Sequence, residues 1–262
     1  MDINISADER IDIINEDLKI VQKKKGLTFG TDSYLLSAFA KKMGRESAAD
    51  LGCGTGVASL LCAARKKYKK IDALEIQDEF AKLAERNAEL NGLENTVLPI
   101  CCDVRDTDGY ISPGSLGAVF SNPPYMPKGS GAAPAHDEMN IARREENGTI
   151  ADFCAAASRM LRHGGIFTVV YRPERVCELI FSMKSVSLEP KRMVFVYPDR
   201  KSPPCLVLVE AKKGAAPSVK ISRPLIIYDC ENKSDGRKYT EDMDRVYDEF
   251  SLEHLFKKES KA

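Results

Sequence analysis

The chain has 262 residues, 43% of them apolar and 30% charged, with 39 Lys and Arg balanced by 39 Asp and Glu. That length suits one large α/β domain with or without a small appendage. A net charge of zero excludes a whole-molecule field that gathers a polyanion, so any nucleic-acid contact must come from a local basic surface.

The N-terminus, MDINISADERIDIINED, is acidic and lacks the apolar core of a signal peptide. No run approaches the roughly 18 apolar residues of a membrane helix. The expectation is a cytoplasmic protein that does not contact membrane. Eight cysteines fall singly in apolar runs or as the neighbours Cys101 and Cys102, with no CxxC pair and no histidine at ligand spacing. They read as reduced, buried thiols, and no metal is expected.

Residues 1–45 form an N-terminal basic segment, with a KKK run (Lys23–Lys25) followed by GLTFGTDSYLLSAF. From about residue 46 to 225 short apolar runs alternate with amphipathic ones, the pattern of successive βα units around a parallel sheet. Strands are expected near Ala48–Leu51, Ile71–Glu75, Thr96–Cys101, Gly117–Ser121, Gly165–Tyr171, Met193–Tyr197 and Cys205–Glu210. The clearest helices run from Asp78 to Asn91, stopped by Gly92, and from Ile150 to Arg162. Met126–Gly148, rich in Gly, Ala, Pro and charge, reads as a long loop. Only PDRKSPP separates the last two strands, too short for a parallel crossover, so they form an antiparallel hairpin. The expected fold is therefore α/β, a seven-stranded, mostly parallel sheet ending in one antiparallel C-terminal hairpin, and this architecture resembles that of the Rossmann-like class I methyltransferases. Residues 226–262 read as a polar tail carrying one amphipathic helix, about Glu241 to Phe256.

Asp50-Leu51-Gly52-Cys53-Gly54-Thr55-Gly56 closes the first of these strands and enters an Ala/Leu helix. Glycine at alternate positions permits a tight turn and a close ligand approach. A glycine pattern alone also fits a plain strand-to-helix turn, but here it follows a strand and opens a helix. The third glycine follows the second too closely for a dinucleotide fingerprint. Glu75 ends the next strand about 20 residues on, where an acid can hold both ribose hydroxyls. Both details favour S-adenosylmethionine. Asp103 is placed to meet the adenine, and Asp50 lies below the loop, able to reach the cofactor ammonium through water or backbone.

The fourth strand ends in Asn122-Pro123-Pro124-Tyr125, the most specific signal in the chain. An aromatic exocyclic amino group delocalises its lone pair into the ring and attacks poorly. Two acceptors on its N–H bonds draw the nitrogen toward tetrahedral geometry. The Asn122 side-chain oxygen and the Pro123 carbonyl can form that pair, preorganised by two prolines, and Tyr125 offers a stacking face. His136, His163 and His254 have no neighbours suggesting a triad.

In Gly26–Phe39, the glycine loop, Glu75, NPPY, Ala142–Gly148 (ARREENG) and Arg237–Tyr247 (RKYTEDMDRVY), the chain resembles the bacterial tRNA adenine-N6 methyltransferases that modify the adenine beside the anticodon of a valine tRNA. The resemblance implies S-adenosylmethionine as cofactor, a tRNA anticodon loop as partner, Thr31 and Asp32 covering the cofactor, and Met126–Gly148 contacting substrate. NPPY is shared with protein glutamine and RNA guanine-N2 methyltransferases, which stay open as alternatives, as does a catalytically silent RNA-binding module. Between Lys184 and Arg223 nine Lys/Arg face three acids, an excess of six that marks a candidate RNA surface or simply solvated strand edges.

Overall fold

The computed structural model describes residues 5–15, 18–24, 30–124, 148–229 and 238–257. In chain order they form β1 (Glu9–Asn15), β2 (Leu18–Lys23), α1 (Thr31–Phe39), β3 (Ser47–Leu51), α2 (Val57–Ala64), β4 (Lys70–Glu75), α3 (Asp78–Leu90), β5 (Val97–Cys101) and β6 (Leu116–Ser121). After the loop come α4 (Ile150–Met160), β7 (Leu161–Tyr171), α5 (Val176–Ser185), β8 (Leu188–Tyr197), β9 (Leu206–Lys213), β10 (Lys220–Ile221), β11 (Leu225–Ile226) and α6 (Glu241–Glu249).

The central sheet has the order β10-β8-β9-β7-β6-β3-β4-β5, with β11 also pairing β8. The seven expected strands are all present, and the two-residue β10 and β11 extend the sheet to nine. The expected hairpin forms between β8 and β9, but β9 inserts between β8 and β7, antiparallel to both. Ala49, Leu51 and Val119 turn to the side covered by Phe153 of α4 and Leu179 of α5. Ala48, Ala118 and Phe120 turn to the side of Leu35 and Leu36 of α1 and Leu60 of α2, the alternation a twice-covered sheet requires. Leu225, Met243 and Val246 join the α1–α2 side, so residues from both terminal segments pack into the same core.

Three local expectations are corrected. The second clear helix ends at Met160 behind a Thr149–Asp152 capping box, because Leu161 is already extended and pairs with Leu116. The C-terminal helix stops at Glu249: Phe250 turns left-handed (φ +48°) and packs edge-on against Tyr34, and a 3₁₀ turn at Glu253–Phe256 follows. The N-terminal segment contains a β1–β2 hairpin that its sequence does not announce. Its basic run does not stand free, since Lys23 pairs with Asp8 (2.7 Å) and Glu79 (2.5 Å) and the Lys24 ammonium donates to the Ala7 carbonyl. Lys25 lies outside the described residues.

The hairpin is fastened by two asparagines one turn apart, Asn87 on α3 and Asn91 at its C-cap. The Asn87 amide accepts from Val21 N–H (2.7 Å) and donates to Val21 C=O (3.0 Å), and Asn91 does the same for Lys19 (3.0 and 2.8 Å). Alternate backbone groups on the edge of β2 facing away from β1 thus find partners without another strand. Asn87 also donates to Thr55 C=O (3.0 Å), which ties the hairpin to the glycine loop.

Candidate active site

From β3 the chain steps outward through β4 and β5, then returns to β6 on the other side of β3. Open α/β sheets bind ligands outside the carboxyl ends of their strands at such a reversal. The two strand ends are joined directly: Leu51 and Ser121 are register partners, and the Ser121 hydroxyl donates to Leu51 C=O at 2.6 Å. One residue further along each strand lie the glycine loop and Asn122.

Gly52, Gly54 and Gly56 have φ of +71°, +55° and +83°. A Cβ on Gly56 would come within 3.1 Å of the Ala84 Cβ on α3, and one on Gly52 within 3.4 Å of the Phe153 ring on α4. The left-handed backbone calls for glycine at both positions, and at Gly56 the crowding against Ala84 adds to it. The Gly52 and Cys53 N–H groups donate to Leu74 C=O, which folds the loop back over β4.

Glu75 ends β4 beneath this loop, 6% exposed. One carboxylate oxygen accepts from Gly54 N–H (2.9 Å) and the other from Gln77 N–H (3.0 Å), and burial raises its pKa. Asp50 is fully enclosed and accepts from the Ser59 hydroxyl at 2.8 Å; burial pushes its carboxyl up to about 7. Asp103 follows β5 and is held by Arg105, whose Nε lies 2.9 and 3.0 Å from its two oxygens. That guanidinium keeps Asp103 below the usual carboxylate range.

Asp32, in the first turn of α1, accepts from the Asn122 amide nitrogen at 3.0 Å. Pro123 is buried, Pro124 half-buried and Thr31 exposed at the start of α1. Tyr125 and residues 126–147 of the loop lie outside the described residues. Sequence reasoning brought together Asp50, the three glycines, Glu75 and Asn122, but missed Ser59, Arg105 and the loop floor Phe153. Phe153 had one legible signal, the Thr149-x-x-Asp152 box that starts its helix. His254 is buried, held below its ordinary pKa by that burial, and sits beside Asp242 in the C-terminal segment.

The Lys184–Arg223 excess does not form one face. Arg200 and Lys201 lie in the β8–β9 turn, at the same sheet edge as Asn122, whereas Lys184, Lys191, Lys212 and Lys213 flank the opposite ends of these strands. Arg192 is buried against Glu210, Lys213 donates to the Ser158 and Leu161 carbonyls, and Arg223 pairs with Asp242. An antiparallel strand pair sends the turn of a sequence run to one edge of a sheet and its outer ends to the other.

Residues 20–187 match the model of the methyltransferase small domain. The chain belongs to this family. It is 28% identical to a tRNA1(Val) (adenine(37)-N6)-methyltransferase of Trichodesmium erythraeum over 76% of this chain and 82% of that one. The protein of the same name from Haemophilus influenzae is 26% identical over 89% and 95%. Among solved structures, a predicted O-methyltransferase from Agrobacterium tumefaciens superposes with a TM-score of 0.67 at 23% identity, covering 84% of this chain and 97% of that one. A Methanocaldococcus jannaschii tRNA m1G37 methyltransferase gives 0.54 at 17%, covering 80% and 58%. These superpositions show the shared Rossmann-like methyltransferase fold. No helix among the described residues is long and apolar enough to cross a membrane.

Proposed function

We propose that this enzyme transfers the methyl group of S-adenosylmethionine to the exocyclic N6 amino group of the adenine beside the anticodon of a tRNA. One observation carries the reading. The Asn122 amide stands at the strand reversal beside the glycine loop, its nitrogen engaged by Asp32 and its oxygen accepting from no described residue. Relatives named as adenine-N6 methyltransferases of a valine tRNA, matched over most of both chains, support the same nitrogen and the same class of RNA.

The residues fit the donor. Three positive-φ glycines leave a cradle without side chains, and each Glu75 oxygen keeps a lone pair for a ribose hydroxyl beyond its backbone partner. Asp103 bounds the adenine end, Thr31 and Asp32 lie over the methionine end, and Asp50 stiffens the loop from below. Bound there, S-adenosylmethionine supplies a methyl group made electrophilic by the adjoining sulfonium.

The chain's own contribution is positioning. Asn122 Oδ1 and the Pro123 carbonyl accept the two amino N–H bonds of the base, which turns the nitrogen lone pair out of the ring plane. No side-chain base removes a proton beforehand; the displaced proton passes to solvent after the new N–C bond forms. Tyr125 stacks on the base. The base must leave its stack to reach Asn122, and in an unpaired loop this costs only unstacking, a few kcal/mol at most.

The test is transfer of labelled methyl to tRNA followed by mass spectrometry of the nucleosides. N6-methyladenosine is expected, with a rate that falls steeply as salt is added while cofactor affinity does not. Methylguanosine, or label only in protein glutamine, overturns the substrate assignment.

A further inference from the structure

We propose that Asp32 is a positioning residue for Asn122: its carboxylate fixes which end of the amide faces the substrate, and so restricts the site to nucleophiles that present N–H groups. The inference rests on the function proposed above. It concerns a residue on a different element, 90 positions away in the chain.

A primary amide is nearly symmetric in shape, and a half-turn of its terminal torsion exchanges an acceptor oxygen for a donor nitrogen. A carboxylate only accepts. With Asp32 Oδ2 at 3.0 Å, Asn122 must turn Nδ2 toward it, which aims Oδ1 the other way. The flipped amide would set two oxygen lone pairs against each other across the same distance. An ionised acceptor makes the chosen orientation stronger than a neutral one would.

The carboxylate is itself held in place. Its other oxygen accepts from Ser33 N–H at 2.9 Å, in the first turn of a helix whose N-terminus favours negative charge. Gly30 makes room for it, since a Cβ there would stand 2.6 Å from Asp32 Oδ1. The helix that carries it is anchored by the fully buried Leu35 and Leu36.

Selectivity follows from this orientation. An amino group can donate into the presented Oδ1. A ring nitrogen or a keto oxygen, lacking hydrogen, would bring lone pair against lone pair. Releasing the amide to flip should lower the productive fraction even when the donor site is saturated.

The experiment measures single-turnover methylation of unmodified tRNA at saturating S-adenosylmethionine, and cofactor affinity by calorimetry. It uses Asp32→Ala, Asp32→Asn, Asn122→Ala and the Asp32→Ala/Asn122→Ala double variant. Asp32→Ala is expected to slow transfer about 10- to 100-fold at saturating donor, the scale of one hydrogen bond to a charged group, beyond anything it costs in cofactor affinity. Asp32→Asn keeps an oxygen for Nδ2 to donate to and is expected to recover part of the rate. In the Asn122→Ala background, Asp32→Ala is expected to cost nothing further, because its effect passes through the amide. A loss confined to cofactor affinity, independent losses in the double variant, or an unchanged rate would overturn the assignment. No transfer to tRNA by the unaltered enzyme overturns the proposed function and this assignment together; an active enzyme indifferent to Asp32 overturns this assignment alone.

Discussion

On the β8–β9 side of the sheet, Arg192 on β8 is buried between the rings of Phe39 and Phe256, 4.7 and 5.3 Å from their centroids, and is paired with Glu210 (2.7 Å) and Glu253. Nearby, the Lys67 ammonium donates to the carbonyls of Ser37, Ala38 and Ala40, which close α1. Beside the glycine loop, Asp50 and Glu75 are as deeply buried, yet among the described residues neither meets a cation. A hydroxyl and backbone N–H groups hold them instead. Desolvating a charge is expensive wherever it happens. Beside β8 the fold compensates it internally; beside the glycine loop the cost shows as raised carboxyl pKa values and leaves the carboxylates without a cationic partner among the described residues.

The largest effect that would test this contrast is on the β8–β9 side. Arg192→Ala strands Glu210 beside Lys41 alone and opens a gap between two rings, so a loss of about 3 kcal/mol is expected in urea unfolding. Arg192→Met, which refills the space, combined with Glu210→Gln should recover much of that. If Arg192→Ala unfolds at the wild-type midpoint, the clamp contributes nothing and the contrast fails.

Beside the glycine loop the expected losses are functional. Asn122→Ala should slow single-turnover transfer by about 100-fold or more, comparable to removing one preorganised group from an oxyanion site, while cofactor affinity stays near native. Equal loss of cofactor affinity would move Asn122 into the binding group. Glu75→Ala should weaken S-adenosylmethionine binding by about 1.5–3 kcal/mol, read by calorimetry. A folded variant with native affinity would show that the buried carboxylate is not a ligand group.

Per pH unit, the smallest effect is in pH dependence. Burial raises the folded Asp50 carboxyl to about 7, above an unfolded aspartate near 4. The native state then keeps a proton that the unfolded chain releases. This contribution to stability is complete below about pH 4 and is lost as pH rises toward 7. Asp50→Asn retains an acceptor for Ser59 and removes the titration. Its unfolding free energy should therefore gain on the wild type through that window, by at most about 1.4 kcal/mol per pH unit. Parallel pH profiles would show Asp50 to be ionised and compensated after all.

Local chemistry carried the parts of this protein that were legible in its sequence. The β3–glycine–α2 passage declares itself because only glycine tolerates the backbone there, and the strands and α3 because their periodicities are those of a covered sheet and a half-exposed helix. PDRKSPP announces the hairpin, since so short a link cannot cross a sheet. NPPY marks the reacting end of β6 because two prolines and an amide at a strand terminus have few other uses. What the sequence could not contain is distance. That Asp32 meets Asn122, that two asparagines in α3 and at its C-cap substitute for a missing strand beside β2, and that Phe250 breaks a helix to reach Tyr34 all depend on elements remote in the chain. The basic run from Lys184 to Arg223 looked like one surface because sequence position is one-dimensional. Folding into antiparallel strands sent its turn to one edge and the outer ends of its strands to the other, and neutralised several charges on the way, so only the tertiary structure could say which of them face the site.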